Sequence, residues 1–172
     1  MTGEETLPIP AEPRTGTEML ELGAIPIASV RHDGQTTDGL RELYDATLGA
    51  VGQAIAQGLI TPSAAPFGLF HGDPMATFDL EIGIPVAERL EEPIEVAGVR
   101  ISPSVIDPGP FAARSHVGSY DSLGRSWMAL VQDATTSGAA PGGRWLEVYV
   151  DDPREAPEES LRTELFMSIA RP

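Results

Sequence analysis

The chain has 172 residues, 41% of them hydrophobic, which suits one domain with a real core. Its formal net charge of −15, from 11 arginines, no lysine and 26 acids, excludes the clustered basic surface that nucleic-acid binding requires. The absence of cysteine excludes disulfides, a thiolate nucleophile and a cysteine zinc site, and no apolar run approaches the roughly 18 residues that cross a membrane.

Residues 1–16 are acidic and proline-rich and read as a flexible tail. They lack the basic start and apolar stretch of a signal peptide, so a cytoplasmic protein is expected. Two extended segments follow, 19–22 and 25–30, bent at Gly23 and Pro26 and closed at Asp33-Gly34. Between 37 and 59, Leu40, Leu43, Tyr44, Leu48, Val51, Ile55 and Leu59 recur mostly three or four apart, which predicts an amphipathic helix with Thr36 or Thr37 as N-cap. Strands are expected at 67–71 and 78–86 around Gly72-Asp73-Pro74, then at 96–106 and 111–117 around Asp107-Pro108-Gly109-Pro110. Leu123, Trp127, Leu130, Val131 and Ala134 give a second helix its inner face, and the glycines from Gly138 to Gly143 break it. A strand at 145–150, a turn at Asp151-Asp152-Pro153 and a strand at 163–170 complete the chain, with solvated acidic stretches at 88–95 and 151–159.

These elements repeat. His32 and Gly34 return 84 residues later as His116 and Gly118, Glu81 returns after 83 as Glu164, and Asp73-Pro74 after 79 as Asp152-Pro153. Each copy reads β-β-α-β-β. The expected fold is α+β: one domain over 17–172, made of two pseudo-symmetric halves at about 17–90 and 91–172. Mainly antiparallel sheets would carry two long helices, and the seam between the halves is a natural central ligand groove.

Trp145, Glu147 and Tyr149 alternate, so their side chains share one face of a strand whose other face, Leu146, Val148 and Val150, is wholly apolar. Aligning the two Asp-Pro turns sets Gly68 against Glu147 and Phe70 against Tyr149 in the two copies. A carboxylate between aromatic rings can hold a flat cation through charge and ring faces together, or carry a proton as general acid or base. His32 and His116 repeat at strand ends before a glycine, which suggests side chains that bond the turn. Glu81 and Glu164 also repeat and are read as scaffold. His71 and Asp73 lack a third ligand, so no metal is expected, and no cofactor motif is present.

The segments FAARSHVGSYDSLGRSW, WLEVYVDDP and PEESLRTELFMSI resemble the GyrI-like small-molecule-binding domain, the fold that also serves as effector domain of multidrug-responsive regulators. ELGAIPIASVRHDG is similar to the family's opening strand and EVAGVRISPSVIDPGPFAARSHVG to its mid-chain hairpin, so the resemblance spans residues 17–172. It implies a groove for amphipathic, aromatic or cationic compounds, with a ligand-facing glutamate on the strand that bears Glu147. Trp145, Tyr149, Tyr120, Trp127, Phe70 and Phe111 are the candidate ligand contacts beside Glu147. The leading expectation is a stand-alone module that binds a hydrophobic or aromatic, cationic or electrophilic small molecule. The first alternative is a hydrolase that opens strained cyclopropane rings of DNA-alkylating natural products. There Glu147 would be the general base and Tyr120 or Tyr149 would protonate the leaving group. The second is an acidic protein-interaction module, such as a gyrase modulator. Only a short tail precedes the domain, so direct nucleic-acid binding is not expected, nor is a membrane partner.

Overall fold

Burial alternates along the strands and divides the apolar residues between two faces of one sheet. The computed structural model describes residues 6–170. Among these the strands are β1 (Glu18–Leu22), β2 (Ile25–Gln35), β3 (Phe67–Gly72), β4 (Phe78–Pro85), β5 (Ile94–Val96), β6 (Val99–Ile106), β7 (Gly109–Val117), β8 (Pro141–Tyr149) and β9 (Arg162–Ile169). The helices are α1 (Leu40–Ala56) and α2 (Leu123–Thr136). All nine strands join one sheet in the order β1-β7-β9-β8-β3-β4-β2-β6-β5, and every pairing is antiparallel.

Apart from the edge strand β5, the order is a palindrome about the β8–β3 pair once equivalent strands are matched. β2 corresponds to β7, α1 to α2, β3 to β8 and β4 to β9, as the repeat predicts. The first strand of each copy, however, is exchanged: β1 pairs with β7 of the second copy, and β6 with β2 of the first. Each half is therefore completed by a strand of the other, which ties the two copies into one folding unit. The register puts Gly68 directly across from Glu147. These are also equivalent positions of the repeat, so the pseudo-twofold axis passes between them.

One face of the sheet closes on an inner core of Ile25, Ile27, Phe67, Leu69, Phe111, Leu146, Val148 and Phe166, drawn from strands far apart in the sheet, so the sheet curls around it. The other face carries the helices. Phe78, Leu80 and Ile82 pack under α1 with Leu40, Leu43 and Tyr44, and Leu165 and Met167 pack under α2 with Leu130 and Ala134.

Several boundaries differ from the sequence expectation, each for a local reason. α1 begins after Gly39, with no side-chain cap, because β2 runs on to Gln35; Thr36 accepts from the Asp38 amide in the bend between them instead. The helix ends before residue 59, since Gly58 turns left-handed (φ 76°) and Leu59 N donates back to Ala54 O. The expected strand at 96–106 is a hairpin instead, turned by Ala97 and Gly98, both with positive φ. The flexible tail expected through residue 16 is only partly inside the described residues, 1–5 lying outside them. From Leu7 onward it is packed: Leu7 is 5% exposed in the inner core, and Arg162 donates to the carbonyls of Pro10, Ala11 and Glu12. Among the described residues no helix is long and apolar enough to cross a membrane.

Candidate functional site

Strand parity brings Trp145, Glu147 and Tyr149 onto the helix-bearing face of β8, in the seam between α1 and α2. There the Glu147 carboxyl is held at both oxygens. Trp127 on α2 donates its indole N–H to Oε2 at 2.8 Å, and Tyr149 donates its hydroxyl to Oε1 at 2.9 Å. The Tyr44 hydroxyl, on α1, lies 2.9 Å from that of Tyr149. A phenol has one proton, so with Tyr149 giving its own to the carboxylate, Tyr44 supplies the proton of the second bond. One hydrogen-bonded chain thus runs from α1 through β8 to α2.

The rings around it form a frame of edge contacts. Tyr44 and Tyr149 have centroids 5.6 Å apart, Tyr120 and Tyr149 5.9 Å, and Trp127 and Trp145 5.5 Å. Trp145 is fixed in turn by its N–H to Gly72 O at 2.9 Å. Tyr120 stands at the rim, 38% exposed, in the short turn that leads into α2. Burial pushes the Glu147 carboxyl above its ordinary range; the bonds from Trp127 and Tyr149, with the nearby His116, offset only part of this. Burial, together with the negative charge of Glu147, also raises the Tyr44 and Tyr149 phenols. Tyr120 is raised by burial first, then by Asp152 and Glu147. The phenols therefore stay protonated and serve as donors.

Of the residues singled out in the sequence, Glu147, Trp145, Tyr149, Tyr120 and Trp127 come together here. Phe70 sits beside them, paired across the sheet with Trp145 and packed with Tyr44. Phe111 does not. It is fully buried in the inner core on the opposite face, 5.0 Å beneath the Arg144 guanidinium, because its parity on β7 points it away from the helices. Tyr44 is the residue that sequence reasoning left among helix core positions. Its signal was a hydroxyl on an otherwise apolar helix face, which a buried setting obliges to find a partner.

Two open hollows of the surface are one of about 310 Å3 against Pro8, Arg14 and Leu20 and one of about 380 Å3 beside Thr61 and the acidic stretch at 88–92. Neither touches Glu147. His116 bonds Ser126 Oγ and Ser119 O, and His32 bonds Thr47 Oγ1, so both repeated histidines fasten strand ends to helices or turns. His71 bonds Glu81 at 3.1 Å, and among the described residues no group of His, Asp and Glu is arranged to hold a metal.

Residues 16–170 match the family model of the GyrI-like small molecule binding domain. No curated protein matches the sequence. Among solved structures, the EcmrR C-terminal domain aligns with TM-score 0.72 at 20% identity, covering 91% of this chain and 98% of that one. A hydrolase encoded by lin2189 from Listeria innocua aligns at 0.65 and 15% identity, covering 93% and 94%. SAV2435, solved bound to tetraphenylphosphonium, aligns at 0.60 and 12% identity, covering 91% and 94%. At these identities the likeness is one of fold.

Proposed function

The chain belongs to the GyrI-like family of small-molecule-binding domains, and we propose that it binds a lipophilic aromatic cation against Glu147, in the seam between α1 and α2. The observation that carries this reading is a half-buried carboxylate ringed by Tyr120, Trp127, Trp145 and Tyr149, with no arginine bonded to it among the described residues. Aromatic rings supply apolar area at roughly 25 cal/mol per Å2 and attract a desolvated cation by about 2 kcal/mol. The carboxylate then favours positive over neutral ligands. The related fold of SAV2435 was solved with a ligand of this chemistry.

Tetraphenylphosphonium is the probe, titrated by calorimetry and by intrinsic fluorescence. The chain's only two tryptophans, Trp127 and Trp145, both lie in the site, so emission reports on it directly. Glu147→Gln should weaken the cation about 30-fold, the worth of one close charge–charge attraction of about 2 kcal/mol, and weaken neutral triphenylphosphine oxide far less. Full affinity for the cation in Glu147→Gln would overturn the reading.

One observation favours hydrolysis as the second reading: a carboxyl raised by burial, with a phenol donor 2.9 Å away, suits proton transfer. Incubation with cyclopropane-bearing alkylators, followed by mass spectrometry, separates the two, since the binder releases no product.

A further inference from the structure

Across the pseudo-twofold axis from Glu147 the sheet carries no side chain, because the position is Gly68. That gap is filled from above by Tyr44. A Cβ on Gly68 would overlap the Tyr44 hydroxyl oxygen and stand 2.9 Å from its Cζ and 3.2 Å from the Tyr149 hydroxyl. The phenol therefore rests on bare backbone, its hydroxyl tied to Tyr149, which in turn caps Glu147 Oε1. A ring, a flat peptide surface and a carboxylate one strand away are thus already assembled within the protein.

We propose that the space over Gly68 is a subsite for an aryl group of the ligand, and that Tyr44 is its stand-in when no ligand is bound. The inference rests on the binding function proposed for Glu147. A ligand bearing an aryl group beside a cationic centre lays that ring on Gly68 as Tyr44 swings out, and its charge meets the oxygen that Tyr149 then shares. An alkyl cation of similar size gains nothing from the flat surface. Tyr44 accordingly lowers apparent affinity by the fraction of molecules in which it occupies the subsite. It also sets the preference for aryl over alkyl cations.

Tetraphenylphosphonium and tetrabutylphosphonium, titrated calorimetrically into wild type, Tyr44→Ala, Tyr44→Phe, Gly68→Ala and the double variant, test this. Tyr44→Ala should tighten tetraphenylphosphonium about tenfold, with Tyr44→Phe intermediate because it loses only the hydroxyl tie. Should Tyr44→Ala fail to fold, the Tyr44→Phe result carries that arm. Gly68→Ala meets the movable tip of a side chain rather than backbone, so it should fold with Tyr44 expelled. It should weaken tetraphenylphosphonium about tenfold even in the Tyr44→Ala background, while leaving tetrabutylphosphonium little changed. Weaker tetraphenylphosphonium binding in Tyr44→Ala would make Tyr44 a wall of the site and overturn the proposal. So would a double variant that binds as tightly as Tyr44→Ala alone. If Glu147→Gln still weakens the cation about 30-fold in either case, the site stands and only the subsite falls. If neither cation binds any variant, the binding function itself fails and the subsite with it.

Discussion

Glu147 is ionisable in surroundings that oppose its charge, so its titration is felt in both stability and binding. Its folded pKa is raised above the unfolded value of 4.5, so between the two the folded state holds more protons and stability falls as pH rises. Glu147→Gln removes that penalty. The variant should melt higher than wild type at neutral pH, and the advantage should vanish below about pH 4; thermal melts across a pH series check this. Cation affinity runs the other way, rising with pH as Glu147 ionises and reaching a plateau above its folded pKa. Calorimetry in buffers of different ionisation enthalpy should accordingly detect proton release on binding, largest in the window just below that pKa. Glu81 has the opposite sign. Burial raises it, but hydrogen bonds from His71, Ser29 and Ser104 outweigh burial and leave it lowered. Its stabilising contribution is present above the unfolded value and is lost as pH falls through the lowered one, so Glu81→Gln should cost most at neutral pH.

Among the elements, a tight backbone-to-backbone fit is found where β4 pairs with β2. A Cβ on Gly83 would overlap the Ala28 carbonyl oxygen and lie 2.7 Å from Ser29 Cα. Both are backbone in the middle of a paired strand and cannot swing aside. Gly83→Ala should therefore destabilise by about 3 kcal/mol, the upper end of overpacking costs, whereas Gly68→Ala, which meets a side-chain tip, should cost much less. Urea denaturation of the two variants distinguishes backbone from side-chain obstruction. The helices, by contrast, end alike: Gly58 and Gly138 both turn left-handed, and Leu59 N and Ala139 N reach back to Ala54 O and Ala134 O. The repeat thus preserves helix stops as well as strands.

Over the whole molecule, symmetry is broken by the segment that precedes β1. Its Arg14 reaches one half of the repeat, where Arg14 and Arg162 both bond the fully buried Glu164. The Arg14 guanidinium also stands 5.5 Å from the Phe166 ring centroid. In the other half the equivalent Glu81 is met by Ser29 and His71, with Arg31 at 3.8 Å, all from the sheet itself. The segment lies outside the family match, which begins at residue 16, yet it serves the core. Deleting residues 1–15 should cost about 3–5 kcal/mol, because a buried carboxylate loses one of its two cations. Arg14→Ala should reproduce most of that loss in urea denaturation, while a deletion that leaves stability unchanged would assign the segment no structural role.

The sequence by itself determined what depends on near neighbours along the chain. Residues two apart share a strand face, so Trp145, Glu147 and Tyr149 could be grouped before any fold was known; apolar spacing marked both helices; and the repeat announced two equivalent halves. Only the tertiary structure decided which strands pair across the halves, because the exchange of β1 and β6 is a choice between equivalent edges that local pattern does not encode. For the same reason Phe111, a candidate contact by its aromatic type, lies on the face away from the helices: aromatic type is visible in sequence, but the side of the sheet that bears the helices is not. Tyr44 reaches Tyr149, and through it Glu147, from about a hundred residues away, over a glycine whose missing side chain matters only once α1 lies on top of it. The chemistry of the carboxylate could be read from three consecutive odd-numbered residues. Its enclosure is a product of packing.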